Sequence, residues 1–205
     1  MVEQQLRRRG IHDERVLSAM YKVPRHEFVA RQSWDEAYAD HPILIGEQQT
    51  TSQPYIIAAM VQAAQIRPES RVLEIGAGSG YQTAVLAELA REVFAVERFS
   101  SLAQAAQAML ERLCYHNVTV VAGDGSLGYP EAAPYDAIIV SAAAPAAPPA
   151  LIEQLAPGGR LVVPVGDSQQ QVLQLVSRDE EGNLNVEIME GCRFVPLIGK
   201  QGFAA

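Results

Sequence analysis

From residue 71 onward, short hydrophobic runs rich in β-branched residues alternate with longer segments in which apolar residues recur every three or four positions. The alternation is typical of parallel strands joined by crossover helices. The predicted strands are 71–75, 92–97, 118–122, 136–141 and 160–165, and the predicted helices are 81–90 and 101–113.

Two further apolar runs follow the last of these strands. Residues 170–178 and 185–197 flank the turn 180–183, which reads EEGN, and strands joined by a tight turn pair in the antiparallel sense. We therefore predict an α/β fold with a Rossmann-like, doubly wound, mostly parallel seven-stranded sheet, an antiparallel edge and an N-terminal helical extension.

The first seventy residues follow a different pattern. Residues 13–23 have the apolar spacing of a short amphipathic helix that begins at an Asp cap, Asp13, whereas most of 26–46 is predicted to be irregular. Because this region has no core of its own, we expect a single domain over 1–205. In it, residues 1–70 form an extension packed on the ligand edge of the sheet, and residues 71–205 form the sheet core.

Charge and cysteine content narrow the function. The chain of 205 residues carries a net charge of −8, which disfavours a nucleic-acid partner because phosphate binding relies on basic surface. The basic run Arg7 to Arg9 is expected to be a solvated helix face. Cys114 and Cys192 lack disulfide or metal-site spacing, so we expect free thiols in a reducing cytoplasm and no metal. Without an export signal or an apolar segment of bilayer-spanning length, no membrane association is expected.

Three strand ends carry residues suited to a nucleoside. Gly76, Gly78 and Gly80 follow the strand 71–75, where glycine allows a tight turn and close approach of a ligand. Glu97 ends the next strand, 21 residues after Gly76, and can accept hydrogen bonds from two ribose hydroxyls. Asp124 follows the third strand at the same edge. The glycine loop alone is a weak signal, but the three features together predict a nucleoside site.

The loop also favours one nucleoside over another. In the dinucleotide fingerprint G-x-G-x-x-G the third glycine comes one residue later than Gly80 does, and the loop binds a pyrophosphate. Glu74 lies just before the loop, and a second carboxylate would repel pyrophosphate but suit a sulfonium and an ammonium. This favours S-adenosyl-L-methionine over NAD.

Several segments then match a known family. They are VPRHEFV (23–29), AYADHPILIG (37–46), GEQQTTSQPYIIAAM (46–60), VLEIGAGSGYQTAVLAEL (72–89), APGGRLVVPVG (156–166) and CRFVPLIG (192–199). Together they resemble Class I S-adenosylmethionine-dependent methyltransferases, and specifically the protein-L-isoaspartate O-methyltransferase family. The glycine loop is shared by all such methyltransferases, whereas QTTSQPY and RFVPL are particular to this family.

The resemblance implies roles for individual residues. Ser52 would position the substrate as the catalytic residue, Glu97 would hold the ribose, and Asp124 with Gly125 would contact the adenine. Val195 and Pro196 would line the peptide site together with Ser52. The implied cofactor contacts are Gln49, Thr50, Thr51, Glu74, Gly76, Ala77, Gly78, Gly80, Glu97, Arg98, Asp124 and Gly125. Tyr81 is expected either to touch the methionine end of the cofactor or to pack in its helix.

The family's substrate is the free α-carboxylate of an isoaspartyl residue in a damaged protein or peptide. Since such a carboxyl has a pKa near 3.9, it is ionised at neutral pH and needs no general base. The segment 141–150, SAAAPAAPPA, accordingly lacks the Asn/Asp-Pro-Pro-aromatic motif of many amino-methylating relatives. We expect neutral hydroxyl and amide groups of 46–55 to orient the carboxylate, where Lys or Arg would pair with it.

Two positions depart from the family pattern, and two interpretations stay open. Gln48 stands where the family usually has glycine and Thr51 where it has isoleucine, so loop flexibility and polarity are expected to differ. Ser52 would either serve the substrate or cap the helix that begins near Pro54, or do both.

Two other functions remain possible at this stage. One is a methyltransferase for a small molecule or nucleic acid, and the other is a non-catalytic binder of S-adenosyl-L-methionine or NAD. We favour methylation of isoaspartyl proteins, no nucleic-acid or membrane partner, and a monomer rather than an oligomer.

Overall fold

A seven-stranded mixed sheet forms the centre of the molecule, which we describe from a computed structural model over residues 1–204. The strand order is β5-β4-β3-β6-β7-β8-β9, with β3 to β7 parallel and β8 and β9 antiparallel to their neighbours. The strands are β3 (Arg71–Ile75), β4 (Glu92–Glu97), β5 (Val118–Ala122), β6 (Tyr135–Val140), β7 (Leu155–Gly166), β8 (Gln171–Arg178) and β9 (Leu184–Cys192). The predicted sheet, including its antiparallel edge, is confirmed.

The side of the sheet on which successive strands are added changes at β3, and the chain follows it. It first adds β4 and β5 on one side and then returns to add β6 on the other, so a crevice opens at the carboxyl ends of β3 and β6. β3 and β6 are buried almost throughout because helices cover both faces of the sheet. The helices are α1 (Glu14–Lys22), α2 (Pro54–Ala64), α3 (Tyr81–Ala87), α4 (Ser100–Arg112) and α5 (Pro149–Glu153).

The N-terminal region contains the predicted helix and a hairpin that was not predicted. Asp13 caps α1 by accepting hydrogen bonds from the backbone N–H groups of Arg15 and Val16. Residues 43–51, partly assigned above to an irregular stretch, form the antiparallel strands β1 (Ile43–Gly46) and β2 (Gln49–Thr51). The turn between them places Glu47 and Gln48 at φ of 49° and 57°, the conformation of a two-residue hairpin loop. No helix of the described residues is long and apolar enough to cross a membrane.

The last strand is shorter than predicted. β9 ends at Cys192 rather than near residue 197, because the chain leaves the sheet and crosses toward the end of β6. There the N–H of Ala143 donates to the carbonyl of Val195 at 2.8 Å, and the N–H of Leu197 donates to the carbonyl of Ala143 at 2.7 Å. The crossing brings residues 195–198 to the crevice.

Candidate active site

Three adjoining cavities lie at the carboxyl ends of β3, β4 and β6. We call them the sheet cavity, of about 310 Å³, the outer cavity, of about 780 Å³, and the recess, of about 40 Å³. Thr50 and Ser141 border all three. The other residues used below that border the sheet cavity are Gln48, Gln49, Gly76, Gly78, Glu97, Arg98, Gly125, Val195 and Pro196.

The glycine loop divides into two parts with different tasks. Gly76 and Gly78, at φ of 88° and 54°, border the sheet cavity and the recess, where Ala77 also lies. Gly80, at φ of 86°, borders none of the three cavities described here; a Cβ there would lie 3.3 Å from the Cβ of Ala106. The first two glycines therefore face the crevice, whereas Gly80 lets α3 and α4 approach each other.

Glu97 is held rigidly at the end of β4. Its side chain is 6% exposed, and its two oxygens accept hydrogen bonds from the N–H groups of Gly78, at 2.9 Å, and Phe99, at 3.0 Å. A carboxylate has about four acceptor sites, so Glu97 retains capacity for further donors in the sheet cavity.

Glu74 borders the recess as a fully buried carboxyl. It accepts hydrogen bonds from Gln82 Nε2 at 2.9 Å and from Thr83 Oγ1 at 2.5 Å, and Gln82 Nε2 also donates to Ser141 Oγ at 2.9 Å. Burial raises the pKa of Glu74 to about 8, although the hydrogen bonds act in the opposite direction. Burial therefore favours the neutral form of this carboxyl near pH 7, in contrast to the charged carboxylate expected from the sequence.

Asp124 fastens the C-terminal segment to the sheet. One oxygen accepts from Ser126 N and Ser126 Oγ, and the other accepts from Lys200 N at 2.8 Å. Burial by itself would raise the pKa of Asp124, but these hydrogen bonds outweigh it and hold the pKa below its usual value. Asp124 is not among the residues bordering the three cavities, whereas its neighbour Gly125 borders the sheet cavity.

Ser52 borders the outer cavity and the recess, and it does not cap the following helix. The N-cap of α2 is Gln53, with no hydrogen bond from its side chain. The carboxylate of Asp40, which belongs to another segment, instead accepts a hydrogen bond from the free N–H of Tyr55 in the first turn of α2, at 2.9 Å. The interpretation of Ser52 as a helix cap is therefore wrong, since an acceptor from another segment already occupies the helix terminus.

Charged residues border the outer cavity, contrary to the expectation of neutral groups alone. Arg9 pairs with Asp40, and its guanidinium carbon lies 3.4 Å from the centroid of the Tyr55 ring. The Tyr55 hydroxyl donates to Glu190 at 3.2 Å. Arg9, Glu190 and Arg193 all border this cavity. Arg7 to Arg9 form an exposed helical turn, as predicted for a solvated helix face, and Arg9 reaches the cavity from it.

Sequence reasoning missed other residues around the site. Ser141 ends up at the meeting point of the three cavities because it directly follows β6; its position at a strand end was the available signal. Gln171 fixes Phe194, accepting from its N–H at 2.7 Å and donating to its carbonyl at 3.2 Å. Tyr81, for which two roles were open, is buried in the core with its ring 5.7 Å from that of Phe28.

The family model described as protein-L-isoaspartate(D-aspartate) O-methyltransferase matches residues 1–202. The chain belongs to this family. The protein-L-isoaspartate O-methyltransferase of Koribacter versatilis is 53% identical over 204 residues, covering 100% of this chain and 91% of that protein. Protein-L-isoaspartate O-methyltransferase 1 of Syntrophobacter fumaroxidans is 53% identical over 203 residues, covering 99% and 94%.

Solved structures agree with the family assignment. A protein-L-isoaspartate O-methyltransferase superimposes with a TM-score of 0.89 at 30% identity, over 98% of this chain and 67% of that one. A Plasmodium falciparum protein described by the same activity, in complex with S-adenosyl-L-homocysteine, superimposes with a TM-score of 0.80 at 25% identity over 96% of each chain. The family, the fold and the enzyme class predicted from the sequence are thus confirmed.

Proposed function

We propose that the protein transfers a methyl group from S-adenosyl-L-methionine to the free α-carboxylate of L-isoaspartyl residues in damaged proteins and peptides, which starts their repair through a succinimide. The observation that carries this proposal is the junction of the cavities. Thr50 and Ser141 border both the sheet cavity and the outer cavity, so molecules bound in the two would meet beside neutral hydroxyl groups.

The residues around the sheet cavity and recess fit the cofactor. Glu97 would accept hydrogen bonds from the ribose hydroxyls with its remaining lone pairs, and Gly76 and Gly78 border the sheet cavity with backbone and no side chain of their own. Gly125 and the adjacent Asp124 would face the adenine. The recess at Glu74 would receive the ammonium, whose charge would favour ionisation of this carboxyl. Of the predicted cofactor contacts, Gln49, Thr50, Thr51, Ala77 and Arg98 border the sheet cavity or the recess, and Gly80 would act through packing.

The outer cavity would take the peptide. Val195 borders the sheet and outer cavities and Pro196 borders the sheet cavity, which supports a role for both near the reacting carboxylate of the peptide. Ser52, which lies just before α2, also borders the outer cavity and would orient that carboxylate as a hydrogen-bond donor.

Methyl transfer to an ionised carboxylate requires no proton transfer to a side chain of the protein. When bound, S-adenosyl-L-methionine supplies a methyl group on a positively charged sulfur. The substrate oxygen attacks with its own lone pair, so no side chain has to accept a proton. Thr50, Ser52 and Ser141 would hold the oxygen in line and limit access of water, an orientation effect worth roughly 7–11 kcal/mol in well-aligned systems.

Several broader features belong to the same proposal. The net charge of −8 favours a protein substrate over a nucleic acid. The free thiols of Cys114, which is exposed, and Cys192 suit a reducing cytoplasm. Residues 1–205 would act as one methyltransferase domain and as a monomer, with 1–70 as the extension over the ligand edge and 71–205 as the sheet core.

The test is methylation of two peptides that differ only in the linkage of one aspartyl residue. We expect base-labile methyl ester on the isoaspartyl peptide and none on its aspartyl twin, in the presence of S-adenosyl-L-methionine. Equal labelling of both peptides would indicate a methyltransferase of different specificity. Tight cofactor binding without transfer to either would indicate a binding protein.

A further inference from the structure

We propose that Arg25, buried beneath the segment Thr51–Ser52, is a positioning residue that both fixes this segment and attracts the anionic substrate without touching it. The inference rests on the proposed function, since it concerns the carboxylate that Ser52 would orient. Arg25 lies in the short helical turn Arg25–Phe28 and is 0% exposed.

The guanidinium is held by backbone carbonyls, a hydroxyl and an aromatic ring. Nε donates to the carbonyl of Ala37 at 2.8 Å and Nη2 to the carbonyl of Ser52 at 2.7 Å, while Nη1 lies 3.5 Å from Thr51 Oγ1. The ring of Tyr81 stacks against the guanidinium with 4.6 Å between its centroid and Cζ. The bond to the Ser52 carbonyl fixes the backbone there, and Thr51 is contacted through its side-chain hydroxyl.

No carboxylate among the described residues forms an ion pair with Arg25. Asp40 acts on Arg25 electrostatically, but its carboxylate is paired with Arg9 and hydrogen-bonded to Tyr55 N. Burial lowers the pKa of Arg25, but arginine keeps its proton in proteins. The fold therefore retains a buried cation that has no ion-pair partner among the described residues and is held by carbonyl dipoles, a π face and the more distant charge of Asp40. Burying such a charge is costly, and an arriving anion would offset part of that cost.

The location of this charge suits the reaction. Arg25 is not among the residues bordering the three cavities, whereas Thr51 and Ser52 are. A cation in direct contact would pair with the carboxylate and lower its nucleophilicity. A cation one peptide layer away attracts the carboxylate through a medium of low dielectric, while the oxygen lone pairs stay free for the methyl group.

The test compares two peptides in binding rather than in turnover. One carries the isoaspartyl α-carboxylate and the other its neutral α-carboxamide, and both are titrated by calorimetry into protein saturated with S-adenosyl-L-homocysteine. For Arg25→Met we expect the carboxylate peptide to bind about tenfold more weakly and the carboxamide peptide to change less than threefold. Arg25→Lys keeps the positive charge but loses the paired N–H donors of the guanidinium. It should lower the affinity for both peptides while preserving more of the preference for the carboxylate peptide than Arg25→Met does.

The matched control is Arg15→Met. Arg15 also donates to two backbone carbonyls, those of Ile66 at 2.7 Å and Leu89 at 2.8 Å, but lies away from the cavities. The carboxylate preference should be unchanged in this variant. An equal loss of both peptides in Arg25→Met would reduce Arg25 to a purely structural role and overturn the proposal, as would an unchanged preference.

A wild-type measurement covers the case in which Arg25→Met fails to fold. Salt screens exposed charges such as Arg9 and Arg193 but affects a buried charge far less. We expect the carboxylate preference to persist at about 1 M NaCl, where the Debye length is about 3 Å. Its disappearance would assign the attraction to the exposed arginines and overturn the proposal. Turnover of the isoaspartyl peptide by the wild-type protein tests the proposed function separately.

Discussion

The sheet cavity and the outer cavity adjoin each other but are built from different parts of the chain. The sheet cavity is formed mainly at strand ends, by the glycine loop and by Glu97 of β4. The outer cavity is formed by residues from the beginning of the chain, from the start of α2 and from 190–195. In the proposed function, the sheet would thus supply the cofactor site, and the segments added at both ends would determine what is methylated.

The largest expected effect is on the sheet cavity alone. Glu97→Ala removes the carboxylate that would bind the ribose and frees two backbone donors, so affinity for S-adenosyl-L-methionine should fall about 100-fold or more, since hydrogen bonds to charged groups are worth about 1.5–3 kcal/mol each. Calorimetry measures this change. The control is Glu92→Ala at the other end of β4, where partly exposed ion pairs with Arg71 and Arg91 lie away from the sheet cavity. Comparable loss in both variants would contradict the ribose role.

The buried carboxyl of Glu74 in the recess should make the free energy of unfolding depend on pH. The folded protein binds a proton at Glu74 up to a pKa of about 8, whereas the unfolded chain releases it near 4.5. Stability from this group is therefore complete below about pH 4.5 and is lost as pH rises toward 8. The loss amounts to roughly 1.4 kcal/mol per pH unit at most. In urea unfolding between pH 5 and 7, the stability of the wild type should fall by about 2 kcal/mol relative to Glu74→Gln. Parallel pH profiles would show that Glu74 ionises normally.

A substitution in the outer cavity should lower activity toward the peptide and leave cofactor affinity unchanged, whereas Glu97→Ala in the sheet cavity should lower cofactor affinity. Ser52→Ala removes one donor to the substrate carboxylate, so kcat/KM for the isoaspartyl peptide should fall about tenfold, or about 1.4 kcal/mol, with unchanged affinity for S-adenosyl-L-methionine. Because the hydroxyl caps no helix, the melting temperature should stay the same. Ser18→Ala on α1 is the control. A loss of stability or of cofactor affinity that accounts for the lost activity would refute the role.

The smallest effect concerns the hairpin that lies between the cavities. Gln48 adopts a left-handed φ of 57°, where a side chain is strained and glycine is not. Gln48→Gly should therefore stabilise the protein by about 0.5 kcal/mol after the entropy of the glycine in the unfolded chain is counted, and thermal unfolding measures it. Leu44→Gly in the same hairpin, at an ordinary strand position, should destabilise. Destabilisation by both would show that Gln48 makes contacts that outweigh its strain.

Sequence patterns predicted the sheet well because its central strands are short hydrophobic runs rich in β-branched residues. The hairpin at 43–51 was not predicted, because its turn residues are Glu47 and Gln48 rather than the glycine or asparagine that usually marks such a turn. The end of β9 was placed too late because the apolar run continues, and only the pairing of 195–197 with Ala143 diverts the chain.

Local signals likewise predicted the residues that border the sheet cavity better than those that border the outer cavity. Gly76 and Glu97 belong to a motif of fixed spacing within one strand–helix–strand unit. Arg9 and Arg25 act through contacts with Asp40 and Ser52, which are 31 and 27 residues away in the chain. No periodicity in the sequence reports which distant partner a single arginine will meet.

The attachment of the C-terminal segment to Asp124 has a practical consequence for handling the protein. The N–H groups of Lys200 and Gln201 are hydrogen-bonded to Asp124 and Ser126, on either side of Gly125, which borders the sheet cavity. An affinity tag or fluorophore attached close to this segment would therefore crowd the sheet cavity. The exposed tip at 180–183, remote from all three cavities, is the better site for a label.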